Sequence, residues 1–277
     1  MKKIIVPIDF SDHSENALKA AAFFAKKQAT EIYALHMLDI QEVNLSQSAE
    51  FSQEKAVFFL KLAEDRFKKF LQKDYLEGIK VIPIIKHYKV FSEINAIAQE
   101  VHADLVIMGS HGASGLKEFF TGSNTEKVIR YAETPVLVIK NELNDVNFSD
   151  VVFATDFSQE SVPVFKRVLT FLAFLNAKIH LLYVNLPSEK FKTTPEMDAL
   201  VNSFLMTAEG NTDRLSNVNL VCSRYIEHGI LNFSNAVGAD LIVMATHGRK
   251  GLSHVFSGSI SEDITNHSTL PIMTFKI

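Results

Sequence analysis

The chain has 277 residues, of which 47% are hydrophobic, a formal net charge of −4 and a single cysteine, Cys222. That length holds two ordinary domains with their own cores, and the charge offers no basic footprint for nucleic acid. One cysteine excludes an internal disulfide framework and fits a reducing cytoplasm; the apolar run that opens the chain stops at Asp9, too short for a signal-peptide core or a membrane span.

Periodicity predicts strand 3–8, helix 12–28, strand 31–38, helix 50–73, strand 79–86, helix 91–102, strand 104–109, helix 123–132 and strand 136–140. Ala56, Phe59, Ala63, Phe67 and Phe70 form one apolar stripe at helical spacing, which reads as core. A polar stretch, 141–149, predicts a linker between domains at 1–143 and 148–277. The pattern then repeats: strand 150–155, helix 159–175, strand 178–185, helix 196–216, strand 218–225, helix 229–237, strand 239–245, helix 259–267 and strand 271–276. Strands alternating with helices predict open, doubly wound parallel sheets in an α/β fold.

The repetition extends to aligned residues. Ile4-Ile5-Val6-Pro7-Ile8-Asp9-Phe10-Ser11 matches Val151-Val152-Phe153-Ala154-Thr155-Asp156-Phe157-Ser158. Gly109-Ser110-His111-Gly112, continuing to Gly122-Ser123, matches Ala245-Thr246-His247-Gly248, continuing to Gly258-Ser259. Glycines clustered in this way serve backbone conformation or the close approach of a ligand. Each loop leads to a capping-box signature, Ser123 with Glu126 and Ser259 with Glu262.

Such sheets bind ligands at the carboxyl ends of strands where strand order reverses. With order 3-2-1-4-5, Asp9 and Gly109 meet at that switch, and Asp156 and Ala245 do so in the second copy. A glycine loop ahead of a helix N-terminus suits an anion, and the aspartate suits a ribose hydroxyl or an adenine amine. Simpler roles stand beside these: Ser123 and Ser259 as helix caps, the glycines as shapers of a long turn, Asp9 and Asp156 as turn residues ahead of Ser11 and Ser158. His111 and His247 have no companions at metal-ligand spacing, and Lys117, Arg249 and Lys250 read as solvated loop charges. A P-loop lysine, a Gly-x-Gly-x-x-Gly run, a zinc-protease motif and a nucleophile elbow are all absent from the sequence.

On these motifs the chain resembles the universal stress protein family in its tandem two-domain form. The opening Val-Pro-Ile-Asp-Phe-Ser, the Ala-Asp-Leu-Val-Ile-Met-Gly-Ser-His-Gly strand and loop, and the pattern Gly-x2-Gly-x9-Gly-Ser carry the resemblance. It implies two five-stranded parallel sheets, paired through their last strands (Val136 to Ile139 with Ile272 to Phe275) as an internal pseudo-dimer, with further homodimerisation left open. It also implies ATP as ligand, with or without Mg²⁺, in a cytoplasmic stress-response sensor that is at most a slow ATPase and has no assigned catalytic or metal-binding residue. In the first copy the implied nucleotide residues are Pro7, Asp9 and Met37 on the adenine side, and Met108, Gly109, Gly112, Gly122, Ser123 and Asn124 at ribose and phosphates. In the second they are Ala154, Asp156, Val184, Met244, Ala245, Gly248, Gly258, Ser259 and Ile260. Ala245 departs from the pattern, which ranks the second site below the first if that position needs a left-handed φ or a Cβ-free approach. The alternative is a scaffold or interaction module on the same fold that binds no nucleotide.

Overall fold

The structure, a computed structural model, describes residues 1–38, 49–87, 90–110, 123–142, 148–246 and 258–277. The chain separates into two units, one built chiefly from Met1–His111 and Thr134–Asn144, the other chiefly from Asp145–Ile277. In the first, strands β1 (Lys3–Pro7), β2 (Glu31–Leu38), β3 (Val81–His87), β4 (Leu105–Gly109) and β5 (Val136–Ile139) alternate with helices α1 (Asp12–Lys27), α2 (Ala49–Phe70), α3 (Val90–Val101) and α4 (Ser123–Tyr131). In the second, β6 (Asp150–Ala154), β7 (Lys178–Asn185), β8 (Val218–Cys222), β9 (Leu241–Thr246) and β10 (Ile272–Lys276) alternate with α5 (Val162–Leu175), α6 (Thr194–Glu209), α7 (Ile226–Ala236) and α8 (Gly258–His267).

All pairings within each unit are parallel, in the order β3-β2-β1-β4-β5 and β8-β7-β6-β9-β10. Both therefore follow the order 3-2-1-4-5 inferred from the sequence. Right-handed crossovers put the first two helices of each unit on one face and the last two on the other. The second unit shows the division in its side chains. Val152 and Ala154 of β6 share a core with Ile226 and Ile230 of α7 and Ile264 of α8. Phe153, one residue out of phase, stacks on Phe165 of α5 at 5.8 Å, and Phe165 packs on Phe204 of α6 at 5.1 Å. Alternation along a strand buried on both faces requires this split. In α1 the buried face is mostly alanine, Ala17, Ala20, Ala21 and Ala22, which lets the helix lie close to the sheet. Ala63 and Phe67 of the predicted α2 stripe are buried, with Phe59 and Phe70 half-buried beside them; the side chain of Ala56 lies outside the described residues.

The aspartate of the repeated Ala-Asp-Leu motif has a structural task. Asp104 Oδ2 accepts from the amides of Lys2 and Lys3 at 2.5 and 3.0 Å, and Asp240 Oδ2 accepts from those of Ser149 and Asp150 at 2.9 and 3.0 Å. Each carboxylate thus fixes the start of the central strand of its sheet. Asp240→Ala is expected to cost ~1–3 kcal/mol, the penalty for stranding donors in a partly buried place, and Asp104→Ala, whose bonds are exposed to solvent, less; both are read as a lower urea midpoint.

Several element bounds differ from the periodicity. The helix predicted over 196–216 starts at Thr194, because Pro195 fits a first turn, and stops at Glu209, because Gly210 takes φ 74° as its cap. Residues Asp213–Asn217 form a separate 3₁₀ turn. The helix predicted from 159 is a 3₁₀ turn over Gln159–Ser161 followed by α5 from Val162. Pro163 sets that start: in a helix running from residue 159 its ring would meet the Gln159 carbonyl. Among the described residues no helix is long and apolar enough to cross a membrane.

Candidate functional site

The carboxyl end of the first sheet is shaped by the turn between β1 and α1. Asp9 follows β1 and is exposed. Its Oδ1 accepts from the Ser11 amide at 2.9 Å and the Ser11 hydroxyl at 2.5 Å, while Ser11 Oγ caps α1 by accepting from the Ser14 amide at 3.3 Å. Partial desolvation pushes the Asp9 carboxyl upward, but hydrogen bonds from Ser11, with a further one from Ser14, outweigh it and hold the group below its ordinary value. Between them Phe10 sits at φ 65°, a left-handed conformation that a non-glycine residue adopts only where its surroundings enforce it. The enforcement is aromatic: the Phe10 ring lies 4.4 Å from His36, 5.3 Å from Phe67 and 5.6 Å from Phe70.

His36, on β2, holds the same turn through its Nδ1, 2.7 Å from the Ile8 carbonyl oxygen. Burial pulls its imidazole below the usual value, against the opposing influence of the Ile8 carbonyl and Asp9. A histidine whose folded-state pKa is depressed binds its proton more weakly in the fold than in the unfolded chain. Its contribution is therefore intact above the unfolded value and is lost as pH falls below about 6.5. His36→Phe is expected to flatten the fall in unfolding free energy below that pH, measured by urea titration at several pH values.

Gly109 ends β4 directly beneath this turn. A Cβ there would lie 2.1 Å from the His13 carbonyl oxygen and 2.3 Å from its carbon, and Gly109 has no left-handed φ. The first turn of α1 thus rests on the bare backbone of Gly109. Sequence reasoning brought Asp9 and Gly109 together, and in the structure the turn that starts at Asp9 closes over Gly109.

The second unit repeats the plan with a different outcome. Phe157 again takes a left-handed φ, 53°, and packs on Tyr183 and Phe204, with Tyr183 at the position of His36. Asp156, however, is only 8% exposed. Its Oδ1 accepts from the Ser158 amide and the Ser161 hydroxyl, both at 2.9 Å, and Ser161 is itself buried. In the first unit the equivalent serine, Ser14, donates to the Ser11 carbonyl at 2.9 Å and also helps hold the Asp9 carboxyl below its ordinary value, but Asp9 itself stays exposed. The 3₁₀ turn ahead of Pro163 holds Ser161 against the Asp156 carboxylate at 2.9 Å. It also replaces the helical turn that crowds Gly109, in keeping with Ala245, 1% exposed, carrying a methyl group there.

Of the other residues singled out in the sequence, Pro7 ends β1 opposite Leu35, Met37 lies on β2 opposite Lys86, and Met108 is a buried residue of β4 opposite Val138. Ala154 ends β6 opposite Leu182 and Met244, Val184 lies on β7 opposite Val221, and Met244 is fully buried. The buried methionines present only backbone to a ligand. Ser123 and Asn124 open α4, and Gly258, Ser259 and Ile260 open α8; their side chains, and with them the predicted capping boxes, lie outside the described residues. So do Gly112, Gly122, Gly248, His111, Lys117, His247, Arg249 and Lys250. The roles of Phe10, Phe157, His36, Ser161 and Lys140 were not apparent from the sequence. Aligning the two copies pairs His36 with Tyr183 and Phe10 with Phe157, which was the available signal.

Two tandem units of this topology, each with an Asp-Phe-Ser turn after its first strand, define a class of duplicated, doubly wound α/β proteins. The model of the universal stress protein family matches residues 1–140 and again 147–276, and the chain belongs to that family. Universal stress protein Slr1230 of Synechocystis is 24% identical over the full length of both chains. Universal stress protein MJ0577 of Methanocaldococcus jannaschii is 35% identical over 155 residues, which cover 51% of this chain and 96% of that protein. The crystal structure of a universal stress protein from Archaeoglobus fulgidus matches 99% of this chain and 98% of its own, with TM-score 0.68 at 23% identity, a likeness of fold.

Proposed function

We propose that the protein is a cytoplasmic, ATP-binding stress-response regulator whose principal site is in the first unit. The adenine lies on the Asp9 side and the phosphates at the loop that leads into α4, with the second unit a weaker site. The observation that carries this reading is the contrast between the two aspartates: Asp9 is exposed at the strand ends, whereas Asp156 is turned into the Ser158–Ser161 pair. An exposed carboxylate with its turn already hydrogen-bonded is suited to accept from a base amine, and α4 begins at Ser123 directly after the Gly122 of the glycine pattern.

Calorimetric titration of the full chain with ATP and Mg²⁺ tests the reading. Saturable binding is expected, and Gly122→Val is expected to abolish it, because the added side chain fills phosphate space. An absence of heat at millimolar ATP would favour the scaffold reading. One observation on the surface supports that alternative: Val57, Phe58 and Leu62 of α2 are 49%, 63% and 39% exposed.

A further inference from the structure

Lys140 follows β5 and is 1% exposed. Its Nζ lies 3.3 Å from Ser110 Oγ, a neutral group, and among the described residues no carboxylate pairs with it. Burying an ammonium without a counter-charge is costly, and proteins seldom keep one without a use. Desolvation lowers this ammonium from 10.5 to about 8, which leaves it largely charged at neutral pH.

Its place in the fold suggests what the charge is for. Ser110 extends β4 just beyond Gly109, and its amide donates to the Ile139 carbonyl at 3.0 Å. Lys140 and Ser110 therefore stand side by side at the carboxyl ends of neighbouring strands. By strand alternation they share the face of Met108 and Val138, opposite to the face on which Gly109 meets α1. The face of Lys140 and Ser110 is the one that takes α4, whose N-terminus lies at this same end of the sheet because the helix runs back along it. The lysine at the matching position of the second copy, Lys276, is half-exposed.

We propose that Lys140 is a specificity-determining residue of the first unit, supplying the buried positive charge that a nucleotide's phosphates neutralise. This rests on the nucleotide reading given above and deepens it: affinity rises with phosphate charge because the counter-charge missing from the fold arrives with the ligand. The test is a titration of ATP and of adenosine into the wild-type chain and Lys140→Met. The variant is expected to bind ATP at least tenfold more weakly and adenosine unchanged, the selectivity of an attraction between charges. ATP binding within twofold of wild type would overturn the proposal and leave the nucleotide reading standing. Failure of the wild type to bind either ligand would remove both. Should Lys140→Met not fold, the Lys140 ¹³Cε resonance of the wild-type protein serves instead. It is expected to shift on addition of ATP and not of adenosine, and a resonance unmoved by saturating ATP would equally overturn the proposal.

Discussion

Gly109→Ala is expected to destabilise the chain by ~1–3 kcal/mol, and Gly109→Val by more, through overpacking in a closed site. The reason is the His13 carbonyl, whose oxygen and carbon would lie 2.1 and 2.3 Å from the new Cβ. Both are backbone atoms, so no side chain can swing aside. The first turn of α1 must lift from the sheet, and the Asp9–Ser11–Ser14 hydrogen bonds lie in that turn. The second unit supplies the control. Ala245 already carries a methyl group at the matching position, so Ala245→Gly is expected to change stability by about 1 kcal/mol at most, as a glycine entropy effect in a strand. Nor should it strengthen a second ligand site, because the departure from glycine reflects how α5 begins. Thermal unfolding of the two variants distinguishes these effects. An unchanged midpoint for Gly109→Ala would mean that α1 does not rest on this strand end.

The second large effect separates the two aspartates. Asp9→Asn retains an oxygen to accept from Ser11 and replaces the other oxygen with an amide NH₂ donor. A base amine can no longer donate there, and loss of one hydrogen bond to a charged group lowers nucleotide affinity by roughly 10–100-fold. Stability should change little, because Asp9 is exposed and its turn survives. Asp156→Ala has the opposite signature. It leaves the Ser158 amide and the buried Ser161 hydroxyl short of an acceptor and is expected to cost ~1–3 kcal/mol, with nucleotide affinity unchanged. Calorimetry and urea unfolding on both variants resolve the two signatures, and an affinity loss confined to Asp156→Ala would reverse the ranking of the sites.

Much of this architecture is legible in the residues because it is written twice. The duplicated Asp-Phe-Ser and Ala-Asp-Leu segments, each beside an apolar run, identify the central strands, and the alternation of strands and helices leaves few parallel arrangements. What one proline does to a helix start was harder to see. Asp-Phe-Ser is common to both copies, and so is the serine three residues further on, yet one aspartate is open and the other buried. The difference originates at Asn16 and Pro163, equivalent positions with unlike backbone demands. Lys140 was hidden for another reason: a lysine after a short apolar strand reads as a solvated strand end, and only packing reveals that its ammonium is enclosed. Asp104 and Asp240 read as part of a family motif, whereas their hydrogen bonds show a task in anchoring strands.

The most direct measurement is a crystal structure of the full chain grown with ATP and Mg²⁺. The account predicts a nucleotide in the first unit, its base within hydrogen-bond distance of the Asp9 carboxylate and its phosphates at the N-terminus of α4. A nucleotide bound only in the second unit, or clear density for the first unit's strand ends with no ligand beside them, would contradict it.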